Sequence, residues 1–248
     1  MVDGALADYH QLLSLPGEPG PHKSEQTSSH PHDIAFDPSG RFVLVPDKGV
    51  DRIFVFRFDP ESGRLEPNNP DCVKARPGAG PRHLAFHPTL RIVWVLNELD
   101  STVTTYGWDE GRGILEALQI IPTLPTDFVG HSTTSEIAVS PDGRFVYCSN
   151  RGHDSITIYA ASADLALLKP VGWEPTQGRV PRFICLDPAA RFLCAANEQD
   201  DTIVCFRRAP ETGALTPTGQ RIITGSPVTI AFAKPSSSYV PCQAVETP

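Results

Sequence analysis

Side chains suited to binding anions or moving protons recur in this sequence at fixed distances from four prolines. Six residues before Pro38, Pro88, Pro141 and Pro188 stand His32, Arg82, Ser135 and Arg182; ten residues after them stand Lys48, Glu98, Arg151 and Glu198. His30 and His83 lie beside these positions. Guanidinium groups match carboxylate or phosphate oxygens in bidentate fashion. A carboxylate or an imidazole among such cations is what general acid or base catalysis needs. If the spacing brings these residues together, it makes a site for a small anion. The competing reading is that Arg82 and Glu98 merely pair with each other as a structural salt bridge.

The elements that must position them follow from a repeat. The four prolines lie in DPSGRFVLVPDK, HPTLRIVWVLNE, SPDGRFVYCSNR and DPAARFLCAANE, and the register continues past them. Arg41, Arg91, Arg144 and Arg191 come three residues after the prolines; Asp47, Asn97, Asn150 and Asn197 come nine after. An aromatic ring at Phe56, Tyr106, Tyr159 and Phe206 closes a third strand, and a turn follows at Gly63, Gly113 and Gly213, with Ala166 in the third unit. Each unit reads as a meander of four short strands. The second strands are almost continuously apolar, which requires cover on both faces. Sheets sandwiched by copies of themselves stack radially as the blades of a β-propeller.

The expected fold is therefore all-β, with four complete four-stranded antiparallel blades and partial strands at both ends. The partial strands fall at residues 4–15 and at SPVTIAF, 226–232. The propeller domain spans 1–235, and 236–248 is expected to be a flexible tail. In each unit the first two strands form a hairpin around the proline turn, so the positions six before and ten after it share one rim, at the mouth of the central channel. The arginines that recur at the turn are assigned to structural bonding, and Asp47 and the asparagines to bracing loops.

Composition narrows the partners. With 21 basic and 29 acidic side chains the net charge is −8, which repels nucleic acid and anionic membranes. No apolar run approaches the ~20 residues of a spanning helix. The start shows no basic leader followed by an apolar stretch. Six cysteines without C-x-x-C spacing read as core residues of a reducing, cytoplasmic compartment. His30 and His32 have no third ligand at convincing spacing, so no metal and no other cofactor is expected.

On HPHDIAFDPSGRFVLVPDKGVDRIFVF, GPRHLAFHP, NELDSTV, SPDGRFVYCSNRGHDSI, PRF and ANEQDD, the chain resembles the lactonase, or 6-phosphogluconolactonase-like, seven-bladed propellers. That family also includes a fungal carboxy-cis,cis-muconate cyclase. The resemblance covers about 220 residues and implies that His32, Arg82, Glu98 and Arg151 are the catalytic set. His30, Lys48, His83 and Arg182 then remain as substrate contacts. It implies metal-independent hydrolysis of an anionic sugar lactone, with lactonisation of a carboxymuconate as the alternative. It also implies that about two repeats precede this sequence. A propeller that only presents a surface to protein partners is the non-catalytic alternative.

Overall fold

The computed structural model describes residues 8–233. They form four separate four-stranded antiparallel sheets, each in simple meander order. The first blade consists of β1 (Ala35–Phe36), β2 (Phe42–Asp47), β3 (Arg52–Asp59) and β4 (Arg64–Lys74). The second contains β5 (Pro81–Phe86), β6 (Ile92–Asn97), β7 (Thr102–Asp109) and β8 (Ile114–Pro122). The third is β9 (Thr133–Val139), β10 (Phe145–Arg151), β11 (Ser155–Ala161) and β12 (Leu168–Pro175). The fourth is β13 (Pro181–Leu186), β14 (Phe192–Asn197), β15 (Thr202–Arg208) and β16 (Leu215–Ile223). Neighbouring blades meet through their inner strands, with β5 beside β9 and β9 beside β13.

The continuous apolar character of the second strands has the expected cause. Three apolar cores lie between successive blades, so Leu44 and Val55 face Val93 and Val95, Trp94 and Leu96 face Val146 and Tyr159, and Tyr147 and Ile158 face Leu193 and Phe206. The turn residue of each later blade gives its carbonyl to the blade before it. Asn68 Nδ2 donates to Gly113 O (2.9 Å), Trp94 Nε1 to Ala166 O (3.2 Å) and Tyr147 Oη to Gly213 O (2.9 Å). These three turn residues have φ of 68°, 50° and 72°, so the alanine in the third unit occupies the same left-handed turn as the glycines.

Both partial end strands are corrections. Residues 8–15 form no strand, and the remainder of the 4–15 segment lies outside the described residues. Instead, Gln11 exchanges two hydrogen bonds with the Leu65 main chain through its side chain (2.8 and 2.9 Å), and Leu13 and Leu15 lie on Val43, Val45, Phe54 and Phe56. This strap covers the face of the first blade on which no other blade packs among the described residues. Residues 226–232 form no strand either. The turn into the expected unit is present: Ser226 N donates to Asp201 Oδ1 (2.7 Å), as Gly80 N does to Asp51 and Val180 N to Asp154. A strand is made by its partner, and among the described residues no second strand is there to pair with it. The first strand of the first blade is only Ala35–Phe36, paired with Val43 and Leu44 of β2, with Ile34 and Phe36 exposed. The expected tail, 236–248, lies outside the described residues.

No helix among the described residues is long and apolar enough to cross a membrane. Of the six cysteines, Cys148 and Cys194 are buried, Cys72, Cys185 and Cys205 are half-buried, all five as free thiols, and Cys242 lies outside the described residues. Burial pushes the Cys185 thiol up to about 11 and raises those of Cys148 and Cys194 as well, which makes them poor nucleophiles.

Candidate active site at the channel mouth

The hairpin geometry that places the rim residues contains a regular irregularity. In β5, Pro81 faces Asn97 but His83 faces Leu96, so Arg82 is an extra residue without an opposite number. Arg182 is the extra residue of β13, and in β9 Ser135 and Glu136 together oppose Ser149. A bulge of this kind bends the strand and re-aims its side chains. Here it falls at the position six before the proline in three consecutive blades.

Glu98, just beyond β6, is the centre of the resulting cluster. Its carboxylate is approached by Arg82 Nε at 2.8 Å, Arg151 Nη2 at 3.1 Å and Lys48 Nζ at 3.3 Å, from three different blades. Lys48 is shared with Glu25 Oε2 at 2.9 Å. Arg82 is tied to the next blade as well, donating to Ser135 O, whereas Arg151 donates within its own blade, to Thr134 O at 2.8 Å. The Arg82 Nε–H is not aimed along its line to Glu98 Oε2, so this contact is an ion pair and not a well-formed hydrogen bond. Burial pushes the Glu98 carboxyl up, but Arg151, Arg82 and Lys48 outweigh it and hold the group below its ordinary value. Burial lowers the Arg82 guanidinium to about 10, still charged at neutral pH. Burial, reinforced by the charge of Arg82, lowers the His32 imidazole to about 4 and keeps it neutral.

Exposure separates the predicted residues into two layers. The Arg82 and Glu98 side chains are 4% and 7% exposed, whereas Arg151, His83 and Arg182 are 14%, 19% and 34% exposed. The Arg82–Glu98 pair is thus a buried foundation, and it is also joined to the accessible Arg151. Arg182 is held only loosely by Glu198 Oε2, at 3.7 Å. The His32 and His83 rings lie 6.3 Å apart. His30 is turned away: its Nε2 meets Ser28 Oγ at 3.2 Å and its N–H donates to Asp47. On the other side of His32, an apolar hollow of about 490 Å³ runs between the strap and the first blade, lined by Leu13, Leu15 and Val45.

The residues assigned to structure are found in structure. Arg41, Arg144 and Arg191 lie over the phenylalanine that follows each of them, and Arg144 also pairs with Asp142. Asn97 and Asn150 donate from fully enclosed positions to hydroxyls on the third strand. One site-lining residue escaped the sequence reading. Glu136, five residues before Pro141 as His83 is before Pro88, accepts a hydrogen bond from His83 Nδ1 at 2.8 Å. The signal was the same repeat, read one residue further along.

Residues 2–232 match the family described as lactonase, 7-bladed beta-propeller. A Bacillus subtilis protein named 6-phosphogluconolactonase is 36% identical over 233 residues, covering 93% of this chain and 64% of that one. The periplasmic gluconolactonase of Pseudomonas aeruginosa superposes with a TM-score of 0.79 at 33% identity, over 84% of this chain and 58% of that one. A Bacteroides uniformis structure gives 0.86 at 32% identity, over 94% and 66%. The chain spans 46% to 64% of the length of the first curated relatives it matches.

Proposed function

This chain belongs to the lactonase family of seven-bladed β-propellers, and from that premise we propose that it hydrolyses an anionic sugar lactone such as 6-phosphogluconolactone. One observation carries the reading: Arg82, Arg151 and Lys48, from three blades, converge on the buried Glu98 carboxylate, with the His32 and His83 rings beside Arg82. Arg151 and Arg182 present charge to the anionic group of the substrate. Arg82, held beneath by Glu98, adds positive potential where the carbonyl oxygen becomes an oxyanion, an effect worth about 3–4 kcal/mol in comparable sites. Glu98 is ionised and engaged by three cations, so it serves the arrangement better as an anchor than as a proton carrier. A neutral imidazole then receives the proton of the attacking water.

The test is turnover of 6-phosphogluconolactone by the purified chain above the spontaneous rate. Glu98→Gln and Arg82→Ala are each expected to lose at least about tenfold in kcat with folding intact, a barrier increase of about 1.4 kcal/mol or more. Unchanged rates in both variants overturn the reading. Turnover of a carboxymuconate in place of the lactone overturns it in favour of the cyclase, and turnover of neither in favour of a non-catalytic module. The free thiols support a reducing compartment such as the cytoplasm; cell fractionation checks that assignment.

A further inference from the structure

His83 and Glu136 come from the inner strands of adjacent blades, at the same position of the repeat, and meet at 2.8 Å. Glu136 is itself well fixed. It is buried, its N–H donates to Ser149 Oγ at 3.0 Å, and its Oε1 also accepts from Ile137 N at 3.0 Å. A carboxylate can only accept, so the proton between the two groups belongs to His83 Nδ1, and in the neutral form of the ring this leaves the lone pair on Nε2. Nε2 makes no hydrogen bond among the described residues. The ring is accessible, follows Arg82 in the chain and lies across from His32.

We propose that Glu136 is a positioning residue that holds His83 in the Nδ1–H tautomer, and that His83 Nε2 is the base that activates water in the lactone hydrolysis proposed above, on which this inference rests. His32 is neutral but, lowered to about 4, it is a weak base at neutral pH; catalytic bases work best near the operating pH. In the step, His83 Nε2 takes a proton as the water oxygen bonds to the lactone carbonyl carbon. The carbonyl π pair moves onto its oxygen, beside the guanidinium groups. When the tetrahedral species collapses, the ring C–O bond breaks and the alkoxide leaving group takes the proton back from Nε2. The product is the open hydroxy acid, which releases its carboxyl proton to solvent. Glu136 gains and loses no proton.

Two readouts test this. The first needs no substrate: long-range ¹H–¹⁵N correlations of wild-type protein are expected to show His83 as the Nδ1–H tautomer, and the Nε2–H tautomer overturns the proposal. The second is kinetic. Glu136→Gln is expected to lower kcat about 10- to 100-fold while KM changes less than about twofold, and His83→Ala to lower kcat about 10²-fold or more. Combining the two should be no worse than His83→Ala alone, because Glu136 acts only through the ring. Added imidazole should restore part of the His83→Ala rate, and more of it where Glu136 is present. A folded Glu136→Gln protein with wild-type kcat overturns the proposal; if that variant does not fold, the wild-type tautomer and the imidazole rescue decide. Loss of activity in Arg82→Ala with none in His83→Ala leaves the lactonase reading standing and sinks only the base assignment.

Discussion

Arg82 Nε and Glu98 Oε2 stand 2.8 Å apart in a setting that excludes nearly all solvent, and each is tied to a blade other than its own, Arg82 through Ser135 and Glu98 through Lys48 and Arg151. The pair is therefore a joint between blades as much as part of a site. Reading it as structural and reading it as functional are compatible, because the same carboxylate that neutralises Arg82 also fixes the accessible Arg151.

This joint predicts a sharp contrast between two carboxylates that share Lys48. Removing one member of a buried ion network strands the others, at a cost of about 3–5 kcal/mol, whereas an exposed pair is worth about 0–1 kcal/mol. Glu98→Ala is expected to lower the urea unfolding free energy by the larger amount and Glu25→Ala by the smaller. Equal losses in the two variants would show that Glu98 is not the centre of the network.

His32 predicts a pH dependence of stability. Its pKa in the folded protein, about 4, lies below the ordinary 6.5, so between these values the unfolded chain binds more protons and stability rises with pH. The contribution of His32 to the urea midpoint should be flat above about pH 6.5 and fall as the pH drops toward 4. Glu98, held below its ordinary value, adds a further loss only as the pH falls below about 4.5. His87 is lowered by burial and acts in the same direction as His32, so the informative comparison is with His32→Gln, in which the slope between pH 6.5 and 4 should shrink. An unchanged slope counts against a half-buried, neutral His32.

The strap predicts a local effect. Leu15 lies with Leu13 on the open face of the first blade, and Leu15→Asp places a charge against Phe54 and Phe56. Amide hydrogen exchange in β2 and β3 should accelerate while β10 and β14 keep their protection. Uniform acceleration in all four blades would mean that the strap supports the whole array and not one face.

The blade-to-blade turns predict a backbone effect. Gly113 has φ +68°, and a Cβ there would lie 2.5 Å from a Phe42 ring carbon and 2.8 Å from Asn68 Nδ2. Gly113→Ala combines left-handed strain of about 1–2 kcal/mol with overpacking of about 1–3 kcal/mol. A thermal or urea scan should show a loss in that combined range. Gly219→Ala, at φ +78° with nothing within 4 Å, should show the strain alone.

The sequence by itself determined the blades and much of the candidate site, because both rest on local regularities. Apolar strand runs, turn residues and a repeat near 50 residues are properties of neighbouring positions, and the hairpin register around Pro38, Pro88, Pro141 and Pro188 follows from them. That register was enough to anticipate that Arg82, Lys48 and Arg151 gather around Glu98, with His32 beside them. What it could not determine was depth, pairing across blades and the fate of the ends. Whether Arg82 lies beneath Arg151, whether His30 turns to Ser28, and that Glu136 reaches His83 all depend on how bulged strands of different blades face one another. The segments 8–15 and 226–232 have apolar patterns fit for strands, yet a strand exists only through hydrogen bonds to a partner, and the partner is supplied by the tertiary structure alone.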